Sequence, residues 1–480
     1  MSSLWTSAEI AGATGGTARG AFEATGVAFD SREIGPGDLF VALKGEATDG
    51  HLFLEQAFAS GASGAIVSSE TGHPHVKVAD TIKALDALGA ASRARSGAKV
   101  IGVTGSVGKT STKEALFAAL DRGSPGRCHR SVKSYNNHTG VPLSLARMPR
   151  ETRFGVFEMG MNHAGELSAL TRLVRPHIAL VTAIAPAHRE FFASEEEIAD
   201  AKGEIFQGLE PNGTAIIPFD SPHRDRLIAA ARPYAARIVT FGQGEGADVR
   251  ATYVIRAAKG GTMMTANLPS AQLSLTISQP GEHWVSNALA VLSVVDAAGG
   301  DLAAAALALA DLGGIKGRGE RHIIQVPGGD ALLIDESYNA NPASMAATLS
   351  MLGEEKVAGR RIAVLGAMRE LGQDSADFHI KLAEPVAAAK VDFAILVGAE
   401  MEALAKALGG QIKLAHVADA ASAIAIAREA IGPGDAVLVK GSNSIGLATL
   451  VEALSEGSSG RNGPDGQSQS AVEGLGTGND

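Results

Sequence analysis

The chain has 480 residues, a formal net charge of −10 and a hydrophobic content of 45%. That length exceeds one ordinary hydrophobic core and points to about three domains. The acidic balance argues against nucleic-acid or anionic-membrane binding, while leaving room for a small anionic substrate in a local cationic pocket.

Cys128 is the single cysteine, which excludes an intramolecular disulfide and suits a reducing compartment. No apolar run approaches the ~20 residues of a membrane span. The opening MSSLWTSAEI lacks the basic-then-apolar pattern of a signal peptide. A cytoplasmic location is expected.

Residues 1–97 read as a compact first unit, with short strands at 27–30, 39–43 and 65–68 and helices at 51–60 and 81–95. Asp30, Ser31 and Arg32 fall at a strand end, where open α/β sheets gather ligand groups. Arg32 and Lys44 have the chemistry to face phosphate or carboxylate. A plain turn, Gly35-Pro36-Gly37-Asp38, is the competing explanation of this stretch.

Residues 98 to about 312 read as a second unit. Its first element, Lys99 to Thr104, is a β-branched apolar run and so a buried strand. Thr104-Gly105-Ser106-Val107-Gly108-Lys109-Thr110-Ser111 then turns into a helix carrying Ala115, Leu116, Ala119 and Leu120 on one face. Strand, glycine turn, Gly-Lys-Thr and helix make a phosphate-binding loop. Glycines let backbone N–H groups close on phosphate oxygens, the helix N-terminus adds partial positive charge, Lys109 reaches the β- and γ-phosphates, and the Thr110 hydroxyl suits Mg²⁺.

Further along, Asn136 and Asn137 precede a Gly-Val-Pro turn. The strand 153–158 ends in Glu158, where a nucleotide-bound Mg²⁺ needs an oxygen ligand. His188 follows an apolar strand over 176–184. Lys202 lies in a helix over 194–209 that opens with a Ser194–Glu197 capping box, and the bland reading of that lysine is a helix-surface residue. Strands follow at 214–218 and 237–241, then alternating segments over 249–279 that suggest antiparallel pairing. Two helices close the unit, the first carrying Asn287.

Residues 313–456 read as a third unit, opened by the glycine hinge GGIKGRGER. Strands at 331–335, 361–366, 391–398 and 435–439, alternating with helices, imply a parallel sheet with crossover helices. The tail, 457–480, holds seven Gly and four Ser among its 24 residues and almost nothing apolar, so disorder is expected there.

The ordered motifs DSR, PGDLFVALKG, DGH, TGSVGKTS, NNHTGVP, EMGMNHAGE, AKGEIF, GEHWVSNALA, GRGER, DESYNANPASM and MRELG together resemble the Mur ligases, from the start to about residue 455. The resemblance implies an α/β protein of three domains: a small N-terminal domain for a UDP-linked substrate, a central phosphate-loop domain with a parallel sheet, and a Rossmann-like C-terminal domain that closes over ATP and takes the incoming amine. Within the family the motifs look like the branch in which ATP phosphorylates the terminal carboxylate of UDP-N-acetylmuramoyl-tripeptide and D-alanyl-D-alanine attacks the acyl phosphate. The sister branch that adds the third amino acid is the nearest alternative, and a phosphate-loop NTPase switch is the alternative of another class. The Asp-Asn-Pro-Arg motif typical of that sister branch does not occur, and MRELG stands in its place.

By the same resemblance, Lys109, Lys202 and His188 serve catalysis. Thr110 and Glu158 hold one metal ion, and His188 with a carbamylated Lys202 holds a second. Asn287 recognises adenine, Arg318 faces the phosphates, Asp335 meets the ribose, and Tyr338 and Asn339 lie in the matching loop. Ser31, Arg32, Lys44, Asp49, Gly50 and His51 match the UDP end, and Asn136, Asn137, Asn162 and His163 the substrate rim. ATP and Mg²⁺ are the implied cofactors, and a monomer is expected.

Overall fold

The structure, a computed structural model, describes residues 3–45, 48–186, 190–257 and 261–456. His188 and the tail 457–480 lie outside the described residues.

A five-stranded sheet runs in the order Thr17–Arg19, His75–Lys77, Gly64–Val67, Asp38–Val41, Gly26–Ala28, parallel except at the Thr17–Arg19 edge. Leu39, Val41, Ile66 and Val76 are buried in it, packed against the helix Thr81–Arg95 through Leu85 and Leu88. Burying such aliphatic side chains contributes roughly 1.5–3 kcal/mol each. The parallel strands deliver the loops at 29–33 and 42–53 to one end.

The second sheet has nine strands, in the order Gln272–Ile277, Thr262–Asn267, Val249–Arg256, Arg237–Gly242, Thr214–Pro218, Ile178–Val181, Lys99–Thr104, Phe154–Glu158, Cys128–Arg130. It is parallel from Val249–Arg256 to the Cys128–Arg130 edge. The other edge is the expected antiparallel meander. Lys99–Thr104 is central and buried on both faces, as its apolar run requires. One face packs against the helices Lys109–Gly123 and Glu282–Ala298. The other packs against Gly140–Ala146, Glu166–Val174 and Glu195–Gly203.

The third sheet has six strands, in the order Glu320–Val326, Gly329–Glu336, Ala436–Lys440, Arg361–Gly366, Phe393–Val397, Lys413–Val417. Four of its five joins are parallel. The antiparallel edge strand Glu320–Val326 is not anticipated by the sequence reading, which ends the hinge motif there. Its alternation of exposed and covered residues is that of an edge strand. Among the described residues, no helix is long and apolar enough to cross a membrane.

Candidate functional site

Lys99–Thr104 ends at Gly105, where a Cβ would collide with the Thr182 hydroxyl from the neighbouring strand end. Gly108, at φ +81, caps the helix Lys109–Gly123 and turns its first N–H groups toward the loop. Thr182 Oγ1 donates to the Val107 carbonyl at 2.6 Å and so holds the loop's curve. Lys109 Nζ donates to the Gly105 carbonyl at 2.7 Å. Burial pushes the Lys109 ammonium below its usual range, a cost that an anion beside it would offset. Ser106 Oγ is buried with no hydrogen-bond partner, an orphan suited to an incoming oxygen.

Thr110 Oγ1 donates to Glu158 Oε2 at 2.8 Å, and Asn136 Nδ2 donates to Glu158 Oε1 at 2.8 Å. Lys113, fully buried one turn along the helix, lies 3.9 Å from Glu158 Oε2 and 3.0 Å from Glu114. Ser134 Oγ stands 3.3 Å from Thr110 Oγ1. Lys202 is fully buried, and its Nζ has no hydrogen-bond partner. Burial first, and Lys109 second, push its ammonium well below the usual range. The surface-lysine reading of Lys202 is therefore wrong. An unpaired buried amine is expensive, and a group that coordinates or modifies it removes that cost.

Ser106 to Ser111, Ser134, Asn136, Glu158 and Thr182 form the floor of a cavity of about 770 Å³, and Lys113 and Lys202 are not among the residues that line it. The wall above comes from the six-stranded sheet: Arg318, Glu336, Tyr338, Asn339, Lys440 and the 369–371 loop. The Arg318 guanidinium stacks 4.3 Å from the Tyr338 ring centroid. Lys440 Nζ donates to the Asn339 carbonyl at 2.9 Å and lies 3.5 Å from Glu336. Burial pushes Lys440 down and Glu336 up. Asn287 stands at the far side of the phosphate loop, its Oδ1 beside Gly108.

Three family models match in succession: "Mur ligase family, catalytic domain" over residues 23–96, "Mur ligase middle domain" over 103–295 and "Mur ligase, glutamate ligase domain" over 317–443. A UDP-N-acetylmuramoyl-tripeptide–D-alanyl-D-alanine ligase of Escherichia coli strain K12 is 37% identical, across 90% of this chain and 93% of its own length. The chain belongs to the Mur ligase family. The Bacillus subtilis strain 168 protein of the same name is 34% identical, with the same two coverages of 90% and 93%. The solved MurF of Acinetobacter baumannii superposes with a TM-score of 0.80 at 32% identity, covering 94% of this chain and 99% of that one. The MurF ligase of Thermotoga maritima in complex with ADP gives 0.73 at 26% identity, covering 90% and 97%.

In this Mur ligase the cavity gathers Ser106 to Ser111, Asn136, Glu158, Asn162, Asn287, Arg318, Tyr338 and Asn339 from among the expected residues. Others lie elsewhere. The Asn137 side chain accepts the N–H groups of Thr139 and Gly140 at the start of the helix Gly140–Ala146, so Gly-Val-Pro is a helix start and not a turn. His163 pairs with Glu166 on the outside, its ring 4.8 Å from that of Phe191. Asp335 is buried behind the cavity wall. Its carboxylate accepts the N–H groups of Gly317 at 2.8 Å and Ser337 at 3.0 Å, which fastens the hinge to the strand.

The UDP-end residues collect at the strand ends of the five-stranded sheet. Ser31 Oγ donates to Gln56 at 3.1 Å. Arg32 is exposed and forks onto Asp30, which it holds down to about 2. The Lys44 and Asp49 backbones face each other in an isolated antiparallel bridge, and the Asp49 carboxylate meets the His51 ring at 2.6 Å. The sequence reading missed Lys113, Ser134, Lys440 and Glu336. Cys128 is half-buried, pushed by burial to about 12, and takes no part.

Proposed function

We propose that this ligase joins D-alanyl-D-alanine to UDP-N-acetylmuramoyl-tripeptide, driven by ATP, and yields UDP-N-acetylmuramoyl-pentapeptide, ADP and phosphate for peptidoglycan synthesis in the cytoplasm. A free carboxylate is a poor electrophile. Transfer of the γ-phosphoryl group to the tripeptide's terminal carboxylate, with ADP leaving, makes an acyl phosphate. The dipeptide's amine then adds to that carbonyl, phosphate departs, and the amine's proton passes to solvent or base.

The reading is supported by the Thr110–Glu158 hydrogen bond at the foot of a cavity walled by both larger sheets. It is also supported by relatives that span nearly the whole chain. Lys109 lowers the repulsion between triphosphate and carboxylate. Arg318 and Lys440 add positive charge from the opposite wall. Thr110 and Glu158, two buried oxygen ligands in contact, suit Mg²⁺, and the orphaned Lys202 Nζ suits a carbamate that would ligate a second ion. A bound Mg²⁺ supplies charge screening between the two anions. Ala343, Ala347 and Leu371 give the upper wall an apolar patch fit for the dipeptide's methyl groups. The work is divided among residues 1–97 for the UDP end, 98–312 for ATP, and 313–456 for the dipeptide.

Mass spectrometry of UDP-N-acetylmuramoyl-tripeptide, D-alanyl-D-alanine and ATP incubated with the protein tests this. The pentapeptide is expected, and none with Lys109→Ala. ATP hydrolysis without amide product would favour an NTPase switch, and product only with a single amino acid and a shorter UDP-peptide would favour the sister branch.

A further inference from the structure

Glu33 ends the short turn Ser31–Glu33 in the N-terminal unit, directly after Arg32. Two donors from the central unit meet its carboxylate: the Lys133 ammonium, and the Tyr135 hydroxyl at 2.9 Å. Burial pushes the Glu33 carboxyl up, and the two donors outweigh burial and hold it below the usual range. Burial and Glu33 together push Tyr135 up to about 12, so it remains a donor. Tyr135 also packs on Phe29, with ring centroids 5.5 Å apart.

The same short loop grips the phosphate loop from the other side. The Lys133 carbonyl accepts from the buried Lys113 ammonium, which also donates to the Ser131 carbonyl at 3.4 Å. Ser134 reaches Thr110, and Asn136 reaches Glu158. Lys133 itself holds φ +48, a conformation that a side-chain-bearing residue keeps only where its surroundings over-determine it. Here both its ends are held, one by each unit.

We propose that Glu33 is a positioning residue: through Lys133 and Tyr135 it couples occupancy of the UDP end to nucleotide affinity at Lys109 and Thr110. The proposal rests on the functional reading above. A substrate held beside Ser31 and Arg32 steadies the turn, the turn steadies Glu33, and Glu33 steadies residues 131–136 against Thr110 and Glu158. The Lys133 side chain is 63% exposed, so its share is small, and the better-covered Tyr135 bond carries more. The expected coupling is about fivefold, the low end of the usual range. The two units are also tied on another face, where Trp5 Nε1 donates to the Ala146 carbonyl at 2.8 Å. Loss of the Glu33 contacts therefore leaves the fold intact.

The test is calorimetric titration of the full chain with ADP and Mg²⁺, with and without saturating UDP-N-acetylmuramoyl-tripeptide. In the unmodified protein the tripeptide should tighten ADP about fivefold. Glu33→Ala and Tyr135→Phe should cut that ratio below about twofold, Lys133→Gly (which keeps the left-handed backbone) should lower it in part, and Lys133→Arg should retain it. If Glu33→Ala unfolds, Tyr135→Phe decides. Tightening that is absent in the unmodified protein, or unchanged in Glu33→Ala and Tyr135→Phe, overturns the coupling alone. Failure of the tripeptide to bind at all overturns the functional reading and the coupling with it.

Discussion

Thr110 and Glu158 meet at 2.8 Å because two adjacent parallel strands end side by side. Lys99–Thr104 and Phe154–Glu158 pair in a register that sets Glu158 opposite Val103. Thr110 lies one turn further, on the helix that the phosphate loop starts. Glu158→Gln keeps the size, removes the charge and leaves one oxygen to accept from Asn136, its amide nitrogen donating to the Thr110 hydroxyl in place of accepting from it. Pentapeptide formation should fall by about 100-fold or more, with an unchanged melting temperature. A variant that keeps full activity would overturn the proposed role of Glu158 as a metal ligand.

Lys202 separates stability from activity. Its amine is buried and unpaired, so Lys202→Met replaces a costly polar end with a methyl group of similar reach. Replacing even a buried ion pair by well-packed apolar groups is neutral or stabilising by about 1–4 kcal/mol, and the unpaired Lys202 amine has no ion-pair attraction to lose. Urea unfolding should show stability held or raised, while product formation falls at least about 100-fold. Lost stability together with retained turnover would mark the lysine as a packing residue.

The phosphate loop was legible because each requirement leaves a letter in the chain: β-branched strand, permissive glycines, lysine, hydroxyl. Glu158 was legible as a carboxylate at a strand end. Asn136 and Asn137 show where such reading stops. They are the same residue type, one position apart, yet the Asn136 side chain donates to Glu158 in the cavity while the Asn137 side chain accepts the Gly140 N–H at a helix start. Lys113 looks like any lysine on a helix surface, and only the packing of residues 131–136 over it buries it. Asp335 has the right chemistry for a ribose, but hinge N–H groups take its oxygens, a tertiary fact with no local signal. The edge strand Glu320–Val326 was hidden by the glycines and charges of the hinge before it.

Acid should weaken the fold through His129. Its Nε2 donates to the Ser144 carbonyl at 2.8 Å, and burial pushes the imidazole down from 6.5 to about 4. Between those values the unfolded chain binds a proton that the folded chain does not, so stability falls as pH drops through that window and levels off below it. His283, also pushed to about 4 by burial and then by Lys440, adds to the same slope. The expected loss from His129 is on the order of 1–2 kcal/mol, because its ring keeps some solvent contact. His129→Gln retains a donor for Ser144 and should flatten part of the slope in melting curves taken from pH 7 to 4. An identical slope would show that the ring titrates normally.

Gly108 should tolerate no side chain, for two separable reasons. At φ +81 an alanine is strained by about 1–2 kcal/mol. Its Cβ would also stand 2.9 Å from Asn287 Oδ1, the side chain that matches the adenine-recognising position. Gly108→Ala should therefore weaken ADP binding by at least about tenfold, which corresponds to about 1.4 kcal/mol. The double variant with Asn287→Ala distinguishes the causes. If the clash with Asn287 dominates, Gly108→Ala costs much less affinity in the Asn287→Ala background than in the unmodified protein. If backbone strain dominates, the two losses add, as independent effects do. Calorimetry on the four proteins of this cycle gives the coupling directly, and undiminished ADP binding by Gly108→Ala would show that nucleotide phosphates do not sit on this turn.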